Sequence, residues 1–233
     1  MLRLIIALSK TSKLSIIHPL EKALLALGPI VICGFANNPI PLIINILVFI
    51  LIHMISKNPM KIVVKFIFAT TLFALLSSIT FVFDYGIIYC SVILLKSISG
   101  GIGLAFIALT TPIDDILYFG SKNDGLRDVC DIAKSMERFL ILIEDEYIVM
   151  NKSIKSRSGF NTFSLKVKNI GKMAGLLFIN TMRRWTEIRD GINSRCYRGY
   201  MPYMEKKFDF SLKRFSCVLI YNFILICLIV CKI

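Results

Sequence analysis

Histidine is scarce in this chain of 233 residues, which has only His18 and His53, and tryptophan occurs once. His18 precedes Pro19 and His53 ends an apolar run, so both suit structural roles better than catalysis. No G-x-x-x-x-G-K-[ST] loop is present, which excludes that way of holding ATP. Seven cysteines occur, yet none forms a C-x-x-C pair or joins a histidine at metal-ligand spacing. Cys33, Cys90, Cys217, Cys227 and Cys231 lie in apolar runs and read as small packing residues. No metal site, no cofactor and no catalytic residue is expected in this chain. Charge is sparse as well, at 18% of residues, too little for a chain built mainly of solvated surface.

What is abundant is apolar sequence. Hydrophobic residues make up 56% of the chain and mean hydropathy is +0.72, as in an integral membrane protein. Apolar segments run from Ala23 to Ala36, Ile40 to Ile55, Ile62 to Phe83, Ile87 to Leu109 and Phe215 to Cys231. The third and fourth have the roughly 20 residues a helix needs to cross a bilayer core. The first two are shorter and flank "NNPIP", so they form either a tight helical hairpin or two tilted, partly re-entrant pieces. The N-terminal "MLRLIIALSKTSK" has too short an apolar run for a signal peptide and is expected to be a cytoplasmic segment.

Net charge is +13, and its placement argues against nucleic acid. Arg3, Lys10, Lys13 and Lys22 precede the first segment, and Lys57 and Lys61 separate the second and third. "NNPIP" and "DYG" carry no Lys or Arg. The excess of cations on one side puts the N-terminus in the cytoplasm. Four crossings return the chain there near Thr110, and residues 111–214 hold 19 of the 28 basic and 13 of the 15 acidic residues. A last helix leaves the C-terminus outside the cell membrane. The expected division is 1–110 for the first membrane helices, 111–209 for a cytoplasmic helical domain, and 210–233 for the final crossing. Lys96 is a charge within the fourth segment, beside "SISGGIG". It either snorkels or meets a water-lined gap opened by the glycines, or it makes a polar contact within the bundle or with a membrane partner.

"TTPID" has the marks of a helix start, with Thr111 as N-cap, Pro112 at the first position and Asp114 in the first turn. Asp114, Asp115 and Asp124 lie close in sequence and suggest a metal-dependent membrane transferase as one alternative; helix-start acids and a polar loop explain them more simply. A membrane scaffold meeting anionic lipid is another alternative. Beyond that loop, Leu126, Val129, Ala133, Met136, Leu140, Ile143, Tyr147, Met150 and Ile154 recur every three or four residues, the pattern of a long amphipathic helix. A second helix, from about Ser164 to Asn193, carries Val167, Ile170, Ala174, Leu177, Trp185, Ile188 and Ile192. The next step along each stripe is an arginine, in "IKSR" at Arg157 and in "INSR" at Arg195. Breakers follow both, Gly159 after the first and Gly199 with Pro202 after the second. One such cation is what a helix dipole favours. Two matched ends suggest anchors for equivalent pockets on a two-fold symmetric soluble partner.

These stretches resemble a known family. "IIHPLEKALLAL", "LTTPIDDIL", "SMERFLILIEDEYIVMNKSIKSRSG" and "GKMAGLLFINTMRRWTEIRDGINSRCYRGY" are similar, in order and over nearly the whole chain, to the transmembrane (T) component of energy-coupling factor (ECF) transporters. The likeness is greatest to the CbiQ type of cobalt and nickel uptake systems. The resemblance implies an all-α integral membrane protein with about four to five transmembrane helices and two long cytoplasmic coupling helices before the last one. It also implies two ABC ATPase subunits and a substrate-binding membrane (S) component as partners, with ATP bound by the ATPases. Two short Ala-Arg-Gly-type motifs would engage those ATPases. Here they correspond to Ser156, Arg157 and Ser158, and to Ser194, Arg195 and Cys196, so the arginines match while the flanking residues are replaced.

Overall fold

The computed structural model describes residues 2–196 and 208–230. Among them the regular structure is helical, apart from one isolated bridge between Ile17 and Asp209. The chain forms two compact units, Met1–Ile116 with Lys206–Ile233, and Leu117–Glu205.

The first unit is the membrane bundle. Its N-terminal stretch is a helix, α1 (Leu2–Thr11), which the short apolar run had not announced. That run is too short to span, but it lets Leu8 pack on the cluster of Val63, Ala105 and Leu109. A 3-10 turn at Lys13–Ile16 leads into α2 (Pro19–Gly34). His18 caps α2, its Nδ1 accepting the Leu20 N–H at 3.3 Å, and Pro19 occupies the first turn where no N–H is needed. Residues 35–38 turn the chain into α3 (Pro39–Ile55), so the "NNPIP" region joins two separate helices.

Next comes α4 (Met60–Thr110), whose two arms, Met60–Val82 and Gly86–Thr110, are each long and apolar enough to cross a membrane. The chain turns between them at Gly86, whose φ of 81° is one that L side chains rarely adopt. Gly101 sets how closely the arms approach: a Cβ there would lie 2.4 Å from Thr70 Oγ1 and 3.3 Å from Ile67 Cα. The last helix of this unit is α8 (Leu212–Val230), also of spanning length. Phe49 and Phe106 meet edge to face at 5.9 Å in the core, with Ala26 and Ile102 beside them. Outward-facing side chains such as Phe73 and Ile88 are 75% and 85% exposed. Apolar exposure on this scale suits lipid rather than water. The molecule is therefore an all-α membrane protein.

The short helix α5 (Ile113–Gly120) follows α4. It starts one residue later than "TTPID" suggested. Asp115 N–H bonds to the Pro112 carbonyl, and Thr111 Oγ1 is buried without a hydrogen-bond partner among the described residues, so Thr111 does not cap the helix. Asp114 does lie in the first turn.

In the second unit the chain forms α6 (Asp124–Ser156) and α7 (Phe163–Asn193). They run antiparallel. Asn169 Nδ2 donates to the Gly159 carbonyl at 2.8 Å at one end, Arg184 pairs with Glu146 farther along, and Ser135 and Phe139 face Ile188 and Ile192 at the other end.

Candidate functional site

The ends of α6 and α7 are built alike. At the first, Arg157 N–H bonds to the Ile154 carbonyl at 3.3 Å and Ser158 N–H to the Lys155 carbonyl at 3.1 Å. At the second, Arg195 N–H bonds to Ile192 at 3.1 Å and Cys196 N–H to Asn193 at 3.1 Å. The residue after each arginine is left-handed, with φ of 53° at Ser158 and 56° at Cys196. The first end closes with Gly159 N–H on the Ile154 carbonyl at 3.0 Å, which completes a Schellman cap. Even the serines before the arginines behave alike: Ser156 Oγ donates to the Ser153 carbonyl at 2.9 Å, and Ser194 Oγ to Asp190 at 2.8 Å. The repeated text "I-x-S-R" thus folds into the same backbone turn as far as the residue after each arginine. Gly199 and Pro202 lie outside the described residues.

The left-handed position is where glycine is usual, because a Cβ costs roughly 1 kcal/mol or more there. Ser158 and Cys196 occupy it regardless. Both arginines stand exposed at a helix end. The side chains of Arg157 and Arg195 have no ion-pair or hydrogen-bond partner among the described residues. Arg184 and Arg189 contrast with them. The former pairs with Glu146, and the latter pairs with Asp190 at 3.2 Å and covers the Trp185 ring at 5.0 Å. Because α6 and α7 are antiparallel, the tips lie at opposite ends of the pair. Arg195 is near the level of Ser135, 22 residues before Arg157, so the tips are about 30 Å apart at 1.5 Å per residue.

Along the hairpin, the apolar stripes are largely uncovered. Leu126, Val129, Met136, Leu140 and Tyr147 of α6 are exposed, as are Val167, Ile170 and Trp185 of α7. Asp131, Lys134 and Glu137 are buried instead. The line of α7 that packs inward runs through Met173, which is buried, and Leu177, Ile188 and Ile192, which are partly so. That line is narrower than the stripe in the sequence and leaves most of it outside the hairpin.

Lys96 is placed within the membrane unit, where its Nζ donates to the Gly34 carbonyl at 2.9 Å, at the C-terminal end of α2. A cation there also meets the negative end of the helix dipole. The aspartates stand apart in their roles. Asp114 pairs with Lys10 at 2.7 Å, Asp115 is buried, and the side chain of Asp124 lies outside the described residues. Among the described residues no group of three or more His, Cys, Asp or Glu is arranged to hold a metal. His53 is fully buried, Nε2 at 3.3 Å from the Ile102 carbonyl and Nδ1 at 2.9 Å from Asn58 Nδ2, while Ser56 Oγ donates to Asn58 Oδ1 at 3.1 Å.

Sequence reasoning missed the importance of Glu21 and Lys22, having counted Lys22 only as a flanking cation. Both are 3% exposed. Lys22 Nζ donates to the Leu14 carbonyl at 3.1 Å and the Thr110 carbonyl at 2.9 Å, tying the start of the bundle to the end of α4. Glu21 accepts from Ser211 N–H at 3.1 Å and from Arg214 Nε at 3.3 Å, fixing the start of α8. An adjacent acid and base at the head of an apolar helix was the available signal.

The cobalt transport protein family CbiQ matches residues 10–205. An uncharacterized protein of Methanocaldococcus jannaschii is 25% identical over 239 positions, covering 94% of this chain and 89% of the relative. A protein of Methanocorpusculum labreanum, named as a fused cobalt transport protein CbiMQ, is 26% identical over 117 positions. That match covers 50% of this chain and 20% of the fused protein.

Proposed function

From the premise that the chain belongs to the cobalt transport protein family CbiQ, we propose that it is the energy-coupling membrane subunit of an ATP-driven importer. In this reading it is not an enzyme and binds no cofactor. Two ATPase subunits bind and hydrolyse ATP, and a separate membrane subunit binds the transported ion, cobalt or nickel. The N-terminus and the α6–α7 hairpin lie in the cytoplasm, and the C-terminus lies outside. Five crossings by α2, α3, the two arms of α4, and α8 give those opposite sides, with the cations flanking α2 and α4 facing the cytoplasm.

The observation that carries the proposal is the pair of matched caps, each ending on an exposed arginine without a partner among the described residues. One such end is explained by the helix dipole. Two with the same backbone, facing opposite ways about 30 Å apart, suit two equivalent acidic grooves on a pair of identical or similar subunits. Guanidinium fits this task because it stays charged and can hold a carboxylate through two parallel hydrogen bonds. When ATP changes the separation of the ATPases, anchors at both ends let each ATPase pull on one tip. The helices then transmit the movement to the membrane unit and the ion-binding subunit.

Copurification of the ATPases with affinity-tagged chain, together with uptake of radiolabelled cobalt, tests the reading. Reversing both arginines to glutamate should abolish both. Wild-type copurification and uptake by that variant would defeat the proposal.

A further inference from the structure

We propose that the membrane unit holds an anionic phospholipid of the surrounding bilayer, with one acyl chain in a groove between α2, α3, α4 and α8 and its phosphate at Lys213. The groove has a volume of about 380 Å³. Leu25, Ile52, Ile55 and Phe106 contribute to its walls, and Lys213 and Arg214 stand at the end where α8 begins. The surface facing the groove is apolar, although Glu21, Lys22, Lys213 and Arg214 are among the residues that line it. It has no donor set for a metal ion and nothing to pair with a peptide backbone, but a hydrocarbon chain fits it.

The surroundings decide where that chain comes from. Outward side chains of the same helices, Leu51 on α3 and Phe223 on α8, are 58% and 66% exposed, so the groove lies in a surface made for lipid. The charges decide which lipid. Three basic residues and one acidic residue, Lys22, Lys213, Arg214 and Glu21, line the groove. The Glu21 carboxylate is already held by Arg214 and Ser211 N–H, and Lys22 by two carbonyls. Lys213 is exposed and has no ion-pair or hydrogen-bond partner among the described residues. A lysine at the end of a spanning helix reaches headgroup level and attracts acidic lipid. An apolar slot with an unpaired cation at its mouth matches the two halves of an anionic phospholipid.

The full chain, with Trp185→Phe removing its one tryptophan and Ile55→Trp placing a reporter at the groove, is reconstituted in phosphatidylcholine. Brominated phosphatidylglycerol or brominated phosphatidylcholine is then titrated in. Quenching should give a binding constant about five-fold higher for phosphatidylglycerol, in line with one juxtamembrane cation. Adding Lys213→Gln should bring the ratio close to one. A reporter at Ile88, exposed at the start of the second arm of α4, should give a ratio near one throughout. Equal constants at the Ile55 reporter, no change on Lys213→Gln, or the same preference at Ile88 would each overturn the proposal.

Discussion

Lys22 and Arg195 are both cations beside helix ends, and the protein treats them in opposite ways. Lys22 is 3% exposed and spends its protons on the carbonyls of Leu14 and Thr110. Arg195 stands at an exposed tip with no partner among the described residues. The difference extends to the units that carry them. In the membrane unit, Asn45 Nδ2 donates to Ser99 Oγ at 2.6 Å and Tyr221 Oη donates to Asn45 Oδ1 at 2.6 Å, so polar groups answer one another internally. That is what a medium without water demands. In the hairpin unit, Arg157, Arg195 and most apolar side chains of the two stripes are left uncovered. In the membrane unit most of these polar groups meet partners within the unit, whereas the hairpin leaves its two arginine tips for contacts supplied from outside.

The comparison breaks most visibly if the hairpin's exposed cations prove to be ordinary surface charges. Arg157→Glu with Arg195→Glu should weaken ATPase binding by about 2 kcal/mol per site, or roughly thirty-fold for each. The single variants should each lose part of it, and the thermal unfolding midpoint of the isolated chain should barely change. Copurification yield measured beside the midpoint checks this. A shifted midpoint with intact binding would mean that the arginines serve the fold.

Lys22 should show the reverse. Lys22→Met keeps a chain of similar length but takes the lysine donor from the buried Thr110 carbonyl and leaves the Leu14 carbonyl with Ile17 N–H alone, at a cost of about 1–3 kcal/mol. The expected result is a clear drop in the unfolding midpoint of detergent-solubilised protein, before any partner is added. An unchanged midpoint would show that the membrane unit does not depend on the tie between Leu14 and Thr110. The packing between the arms of α4 should be nearly as sensitive. Gly101→Val puts its Cβ against Thr70 Oγ1 and the Ile67 backbone, and forcing those apart costs about 1–3 kcal/mol. Gly100→Val is the control, since nothing lies within 4 Å of a Cβ there. Equal losses from both would sink the close-approach explanation.

Much of this contrast could be read before the structure was known. Spanning segments, the turn at Gly86, and the long helices up to Ile154 and Ile192 follow from local patterns, because hydrophobic period and helix breakers act over a few residues. The arginine tips were legible because each stripe runs straight into one. What escaped was anything set by distant partners. Lys22 looked like a flanking charge, since its carbonyl at Thr110 lies 88 positions away. Thr111 looked like a helix cap, yet the helix begins after Pro112 and the hydroxyl is buried without use. On α7 the stripe was visible, but only contact with α6 selects the narrower line through Met173 and Leu177.

The finest test concerns the equivalence of the two tips. Ser158 and Cys196 hold left-handed backbone that glycine adopts without a steric penalty, although glycine also loses more freedom on folding. On balance, Ser158→Gly and Cys196→Gly should each stabilise the hairpin by about 0.5–1 kcal/mol. If the caps are the same device, the two gains should agree to within about 0.5 kcal/mol and add in the double variant, since the sites are too far apart to couple. Hydrogen exchange of the last amides of α6 and α7 resolves the two ends separately. Slower exchange at Lys155 to Ser158 without a matching effect at Asn193 to Cys196 would show that the shared text hides two different ends.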